Sequence, residues 1–385
     1  MLVQLAGTSL WFAGNAVVGD LQGALHLGPE AVGWMTSAVQ LGFIAGTLGM
    51  ALFAIPDRFA PRHIFVSMAL AGAACNLGLL VGGGVVAVLA ARFATGICLA
   101  GIYPVGMRIA ASWYREGLGR AIGYLVGAVV LGTALPHFLR ALGAGAPWQW
   151  VVGSVSVVAA AGGILQALLV PDGPHLKTRG RLRADAIPSL FRVPGFRASA
   201  FGYFGHMWEL YTFWTFLPVL LALYAAMHGL QGFGVSLWSG AILAAGGLGC
   251  AGGGLLVQRF GSARVAGAQL AASGVCCVLL PVAMSAPPVL FLAYLLFWGV
   301  VVAGDSPQFS TLNAQSAPAE LVGTGLTIAT SIGFALTIVS IEFANLLQLR
   351  LALPTVLALL AAGPALGLLG LRPLLTQKHL KGSHS

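Results

Sequence analysis

The segment "GHMWELYTFW", Gly205 to Trp214, puts His206 and Glu209 three residues apart inside a long apolar run. At that spacing two side chains share one face of a helix. An imidazole beside a carboxyl suits proton handling, because burial and a neighbouring base compete over the charge of the acid. A second pair, Asp305 and Gln308, repeats the spacing in "GDSPQFS", and Pro307 between them predicts a break in the helix. Arg92, in "RFATG", and Asn15 are further polar groups surrounded by apolar sequence. A guanidinium there offers a planar fork to an anion or to an acidic partner. Tyr211, with Trp208, Phe213 and Trp214, is placed to stack on a solute. Each reading has a plainer alternative: a structural His–Glu hydrogen bond, an arginine tether between helices, or rings turned toward lipid. His137 is a weaker candidate, and Glu342 with Asn345 reads as a satisfied interfacial pair.

Other chemistries lack their residues. A His-Glu-x-x-His zinc motif and a Gly-x-Ser-x-Gly elbow are absent, so no enzyme is expected. Without Gly-x-x-x-x-Gly-Lys-Ser/Thr no ATP drive is encoded, and no cofactor is expected. The five cysteines lie in apolar runs and show neither metal-finger spacing nor a disulfide framework. The net charge of +9 is spread over separate loops, which argues against nucleic-acid binding.

The elements that must position these residues follow from composition. Only 8% of the residues are charged and 58% are hydrophobic, where soluble domains carry about 25% charged residues. A polytopic membrane protein accommodates such a chain. The apolar runs are long and continuous, which indicates helices and not a barrel. About twelve spans are predicted, at 2–19, 31–53, 63–83, 85–106, 119–141, 148–170, 198–224, 235–257, 265–284, 288–311, 322–347 and 351–370. No basic stretch precedes the first, so no cleavable signal peptide is expected.

With both termini cytoplasmic, Arg58, Arg62, Arg108, Arg115, Arg120, Lys177, Arg179, Arg181, Arg183, Arg192, Arg197, Arg259, Arg264, Arg372, Lys378 and Lys381 fall on one side. Only Arg140 and Arg350 fall on the other, which is the positive-inside pattern. Residues 171–197 are basic and Pro-rich and read as a cytoplasmic linker. The chain thus divides into a six-helix half at 1–170, the linker at 171–197, a second half at 198–370 and a cytoplasmic tail at 371–385.

The halves resemble each other. "DRF" at 57–59 matches "QRFG" at 258–261, "GIYP" at 101–104 matches "GDSP" at 304–307, and "SWYREGLG" at 112–119 matches "SAPAELVG" at 316–323. The offsets are 201, 203 and 204 residues, which indicates a duplicated unit. Two parallel halves related by an axis along the membrane normal are a transporter architecture.

On these motifs the chain resembles the major facilitator superfamily of secondary transporters. That family carries Gly-x-x-x-Asp-Arg-x-Gly-Arg between helices 2 and 3. Here Asp57, Arg58 and Arg62 fit it, with Phe53 and Ala60 in place of glycines. The second copy keeps Gly254, Arg259, Gly261 and Arg264. The helix 4 motif Arg-x-x-x-Gly is present as Arg92 and Gly96. "GHMWELY" and "GDSPQFS" are similar to bacterial members loosely labelled nitrate/nitrite or cyanate transporters. The arginines a nitrate porter would offer on helices 2 and 8 are missing from 31–53 and 235–257, which weighs against nitrate.

The resemblance implies an all-α membrane fold in two pseudo-symmetric six-helix halves, working by alternating access. It implies a central cavity lined by helices 1, 4, 7 and 10, where Asn15, Arg92, His206, Glu209, Tyr211, Asp305 and Gln308 are predicted to bind solute or protons. Asp57, Arg58, Arg62 and Arg259 would gate it through cytoplasmic contacts. The expected protein is a monomer in a bacterial inner membrane, moving a small polar or charged solute, with proton coupling. Partners are the solute, protons and the lipid bilayer. A metal or metal-chelate transporter and a drug or metabolite efflux antiporter are the alternatives.

Overall fold

The computed structural model describes residues 1–81, 83–114, 118–175 and 183–376. Arg115, Lys177, Arg179, Arg181, Lys378 and Lys381 of the orientation pattern lie outside the described residues, as do Glu116 of the repeat, linker residues 176–182 and the tail from 377 onward. Among the described residues eleven helices are long and apolar enough to cross a membrane. A twelfth unit, α1, precedes them in three pieces: Leu2–Thr8, Ala13–Ala16 and Val18–Leu25. The next five are α2 (Ala31–Leu52), α3 (Pro61–Leu77), α4 (Gly84–Ala100 and Tyr103–Trp113), α5 (Leu118–Leu142) and α6 (Trp148–Leu169). After the short helix Ile187–Arg192 come α7 (Pro194–Met227), α8 (Val235–Phe260) and α9 (Ser262–Ala283). Then follow α10 (Pro288–Gly304 and Ser306–Ser316), α11 (Val322–Leu347) and α12 (Leu353–Ala358 and Ala362–Thr376, joined by one 3-10 turn).

Several predicted boundaries are corrected. The first span is not one continuous helix. Its chain turns at Ser9–Phe12, where the Ser9 hydroxyl bonds back to the Ala6 carbonyl and Arg92 takes the carbonyls of Leu10 and Trp11. Helix α7 begins at Pro194, whose ring suits a first helical turn, so 194–197 is helix and not linker. Residues 371–376 belong to α12 and not to a tail. Helices α4 and α10 run past their predicted ends, to Trp113 and Ser316.

Glycine decides how closely the helices approach. Within the first six helices, Gly42 and Gly46 of α2 lie against the backbone carbonyls of Phe93 and Ile97 on α4. Within the last six, Gly249 of α8 meets the Val300 carbonyl of α10, and Gly299 meets Ile242. A side chain at these positions would push the backbones apart. Two seams join the first six helices to the last six. Helix α5 runs along α8, where Gly127 and Gly247 face each other, and α2 runs along α11.

The two ends of the α2–α11 seam differ. At the end away from the Asp57 loop, Ser37 donates to Glu342 at 2.6 Å, and Asn345 donates to Glu342 at 3.2 Å and to the Glu30 carbonyl at 3.4 Å. At the basic end the helices part around a pocket of about 90 Å³. Thr47, Met50, Pro104 and Arg108 line one side of it, and Gly323, Thr324 and Thr327 of α11 the other.

Candidate functional site

The break in α10 builds the first part of the site. Pro307 has no N–H to give the carbonyl of Ala303, and the thiol of Cys250 on α8 donates to that carbonyl instead, at 3.3 Å. Asp305 joins the two segments of α10 and Ser306 opens the second, and both face His206 of α7. Nδ1 of His206 lies 2.8 Å from Oδ1 of Asp305, and its Nε2 lies 2.7 Å from Oγ of Ser306. His206 and Asp305 are each 1% exposed. The rings of Tyr203 and Phe309 flank the imidazole, each with its centroid 6.0 Å away. The approach is a close contact and not a formed hydrogen bond: among the described residues Nδ1 of His206 and both oxygens of Asp305 have no hydrogen-bond partner.

Glu209 lies one turn along α7 but faces elsewhere. Its Oε1 accepts from Ser273 and Cys277 of α9, the latter at 3.2 Å, and from Nε1 of Trp298 on α10 at 2.7 Å. Phe213 stacks on Trp298 at 4.1 Å and closes this polar nest. Its other oxygen, Oε2, is buried with no partner. The i, i+3 spacing therefore does not bring the two groups to one partner. His206 serves the α10 break, while Glu209 sits inside the last six helices. Neither lines the pocket at the basic end, and each is 1% exposed.

Arg92 ties α4 to α1, the tether weighed from the sequence. Its Nη1 donates to the Leu10 carbonyl at 3.1 Å and its Nη2 to that of Trp11, while its Nε has no partner. Among the described residues no carboxylate pairs with it, and it is fully buried. The guanidinium holds the turn in α1, where helix carbonyls lack their own amides. Asn15 donates from Nδ2 to Thr36 of α2 at 2.8 Å, with Oδ1 unpartnered. Gln308 is buried against Gly253, and neither end of its amide has a partner.

Tyr211 belongs to a cluster of rings at the meeting of α1, α2, α4, α7 and α11. Trp11, Tyr211 and Phe334 form a triangle of rings: Trp11 is 5.8 Å and 29° from Tyr211 and 5.5 Å and 24° from Phe334, and those two are 5.2 Å apart at 49°. Phe43 packs on Trp11 at 5.0 Å and on Phe334 at 4.5 Å, and Tyr103 closes the side at 6.3 Å from Trp11. Trp214 meets Tyr211 and Phe12 edge-on. Trp208 is turned toward Phe343 of α11 and lies outside the cluster.

In the loop after α2, Asp57 pairs with Arg108 of α4 at 2.8 Å, and Arg108 also donates to the Pro56 carbonyl at 2.6 Å. Arg62 gives its backbone N–H to Asp172 at 3.2 Å. Arg58 and Arg259 are exposed, with Arg259 over the Phe260 ring. Among the described residues no three His, Cys, Asp or Glu side chains converge as metal ligands.

Sequence reasoning missed Trp11, Phe43, Tyr103 and Phe334, the nest of Ser273, Cys277 and Trp298, and Gln40 of α2. Gln40 is fully buried with both amide atoms unpartnered. A lone amide in an apolar span was the available signal for it. Rings in apolar runs gave none, since lipid-facing and site-lining aromatics look alike in one dimension.

The family model of the Major Facilitator Superfamily matches residues 1–341. The chain belongs to that superfamily. Its fold is similar to the solved structure of the proton:xylose symporter XylE bound to 6-bromo-6-deoxy-D-glucose, at a TM-score of 0.71 and 13% identity. The match covers 96% of this chain and 93% of that one. No curated protein matches the sequence. This superfamily member is a multi-pass membrane protein and a secondary transporter, not an enzyme.

Proposed function

We propose that this transporter couples the movement of a small solute to protons by alternating access, with His206, Asp305 and Glu209 as the proton-handling groups. The observation that carries the reading is the His206–Asp305 contact at the α10 break. A carboxyl and an imidazole buried together share one proton at lower cost than either carries a charge alone. Both groups belong to the last six helices, and the break lets the two segments of α10 shift against α7 so that the groups meet or part. Glu209 is a second acid, held by neutral donors that serve it whether or not it is charged. The basic end faces the cytoplasm of a bacterial cell, in keeping with the arginine-rich loops on that side. Asp57, Arg58, Arg62 and Arg259 gate that end, and Arg108 supports Asp57.

The test uses the purified chain in liposomes. A radiolabelled solute is first selected from a thermal-shift panel of anions, cations and neutral compounds, since a binder raises the unfolding temperature. An imposed pH gradient should concentrate that solute. Asp305→Asn and Glu209→Gln should lose uphill accumulation while keeping solute exchange at equal pH. Undiminished accumulation in both variants contradicts the proposal.

A further inference from the structure

We propose that the transported solute is uncharged and flat, with a hydrogen-bonding edge, and that it is held between Trp11 of the first half and Tyr211 and Phe334 of the second, with Gln40 reading its edge. This rests on the transporter reading above and names the class of solute for the same central region. Three observations carry it.

The first is charge. Among the described residues no cation lies over the ring of Trp11, Phe43, Tyr103, Tyr211 or Phe334. Arg92 donates to the backbone carbonyls of Leu10 and Trp11, which commits two of its nitrogens. A fixed positive charge there opposes a cation, and its committed fork gives an anion no free pair of donors. Asp305 is engaged by His206, and Glu209 is turned into α9 and α10. A neutral solute meets neither obstacle.

The second is shape. Trp11 comes from one half of the chain and Tyr211 and Phe334, side by side, from the other; the plane of Trp11 lies within 30° of each of theirs, which are 49° apart. When the halves part, a flat ring can enter and keep stacking contact on both faces.

The third is the set of polar atoms without partners. Gln40 lies one turn from Thr36, which bonds Asn15 of α1, and one turn from Phe43, which packs on Trp11. It is therefore on the face of α2 that looks onto the cluster. Its amide offers one donor and one acceptor side by side, both buried and unpartnered. Nε1 of Trp11, Nε1 of Trp214 and Oδ1 of Asn15 are unpartnered in the same region. Each such group is costly while it stays unsatisfied. A solute edge with an adjacent donor and acceptor, such as a carboxamide or lactam, satisfies Gln40 bidentately. A sugar is puckered and carries hydroxyls on every edge, so it cannot keep flat contact with rings on both faces.

The test is calorimetric titration of the full-length purified protein at one fixed pH, with ring-matched probes. Nicotinamide is neutral, nicotinate is its anionic counterpart and 1-methylnicotinamide its cationic one. Uracil is a second neutral flat probe, and D-xylose is the sugar arm. Nicotinamide or uracil should bind, with the charged probes and the sugar at least about tenfold weaker. Gln40→Leu should weaken the neutral probe by about 10- to 100-fold. The unfolding temperature of that variant should hold or rise, because the substitution removes two unsatisfied groups. The proposal is overturned if neither neutral probe binds at millimolar concentration, or if a charged probe or the sugar binds as tightly. Unchanged neutral-probe affinity in Gln40→Leu overturns it as well. Binding without a gradient is independent of proton coupling, so failure here leaves the coupling assay standing, and failure there leaves this result standing.

Discussion

Arg92 shows how a buried charge can be structural while looking functional. Its sequence setting invites a ligand anion, yet its two Nη donors hold the carbonyls of a broken helix. Lysine cannot reproduce the fork, and a single ammonium would leave one carbonyl unsatisfied. Arg92→Lys should therefore destabilise the protein by about 1–3 kcal/mol, read as a fall in thermal unfolding temperature in detergent. Affinity for a bound neutral solute should change far less. The opposite pattern, intact stability with affinity lost more than tenfold, would return Arg92 to the solute site. The residue types at 206, 209 and 305 were legible as chemistry in one dimension, because ionisable groups are costly among apolar neighbours. Their partners were not. Ser306 beside Asp305 gave no sign that it would take Nε2 of His206, and Ser273, Cys277 and Trp298 reach Glu209 from helices 64 to 89 positions away.

At the scale of elements, the duplicated motif "GIYP"/"GDSP" marks the same event in both halves. Helix α4 breaks after Ala100 and α10 after Gly304, each followed by a proline-containing first turn. Pro307 made the α10 break readable, whereas the α4 break falls inside the predicted span 85–106. The break in α1 was not readable, because it depends on Arg92 from another helix and no proline marks it. The α2–α11 seam makes a prediction of its own. Ser37 and Glu342 touch at 2.6 Å on the end away from the basic loops. In a background with the five native cysteines replaced, Ser37→Cys with Glu342→Cys should be joined by a short bis-methanethiosulfonate linker, since the contact runs through the length of the Glu342 side chain. The cross-linked protein should not transport, and reductant should restore it. Transport that persists through complete cross-linking would show that this end need not open.

For the whole molecule, twelve apolar units in two similar sets were legible from hydropathy and internal repetition, and the superfamily match and the fold agree with that reading. The state of the molecule was not legible, because it depends on which side of a seam is closed. The chain is latched at one end by Ser37, Glu342 and Asn345 and opens at the other around the pocket beneath Thr47. A transporter held this way exposes its centre to one side at a time. The central claim is that solute and proton cross together through this one device, with His206 and Asp305 as the link. The most direct measurement is proton flux in liposomes loaded with a pH-sensitive dye, with a gradient of the transported solute as the only driving force. The account predicts a change in lumen pH for the native protein, abolished in Asp305→Asn and in His206→Gln while downhill solute movement continues. A lumen pH that stays constant while the native protein moves solute would contradict it.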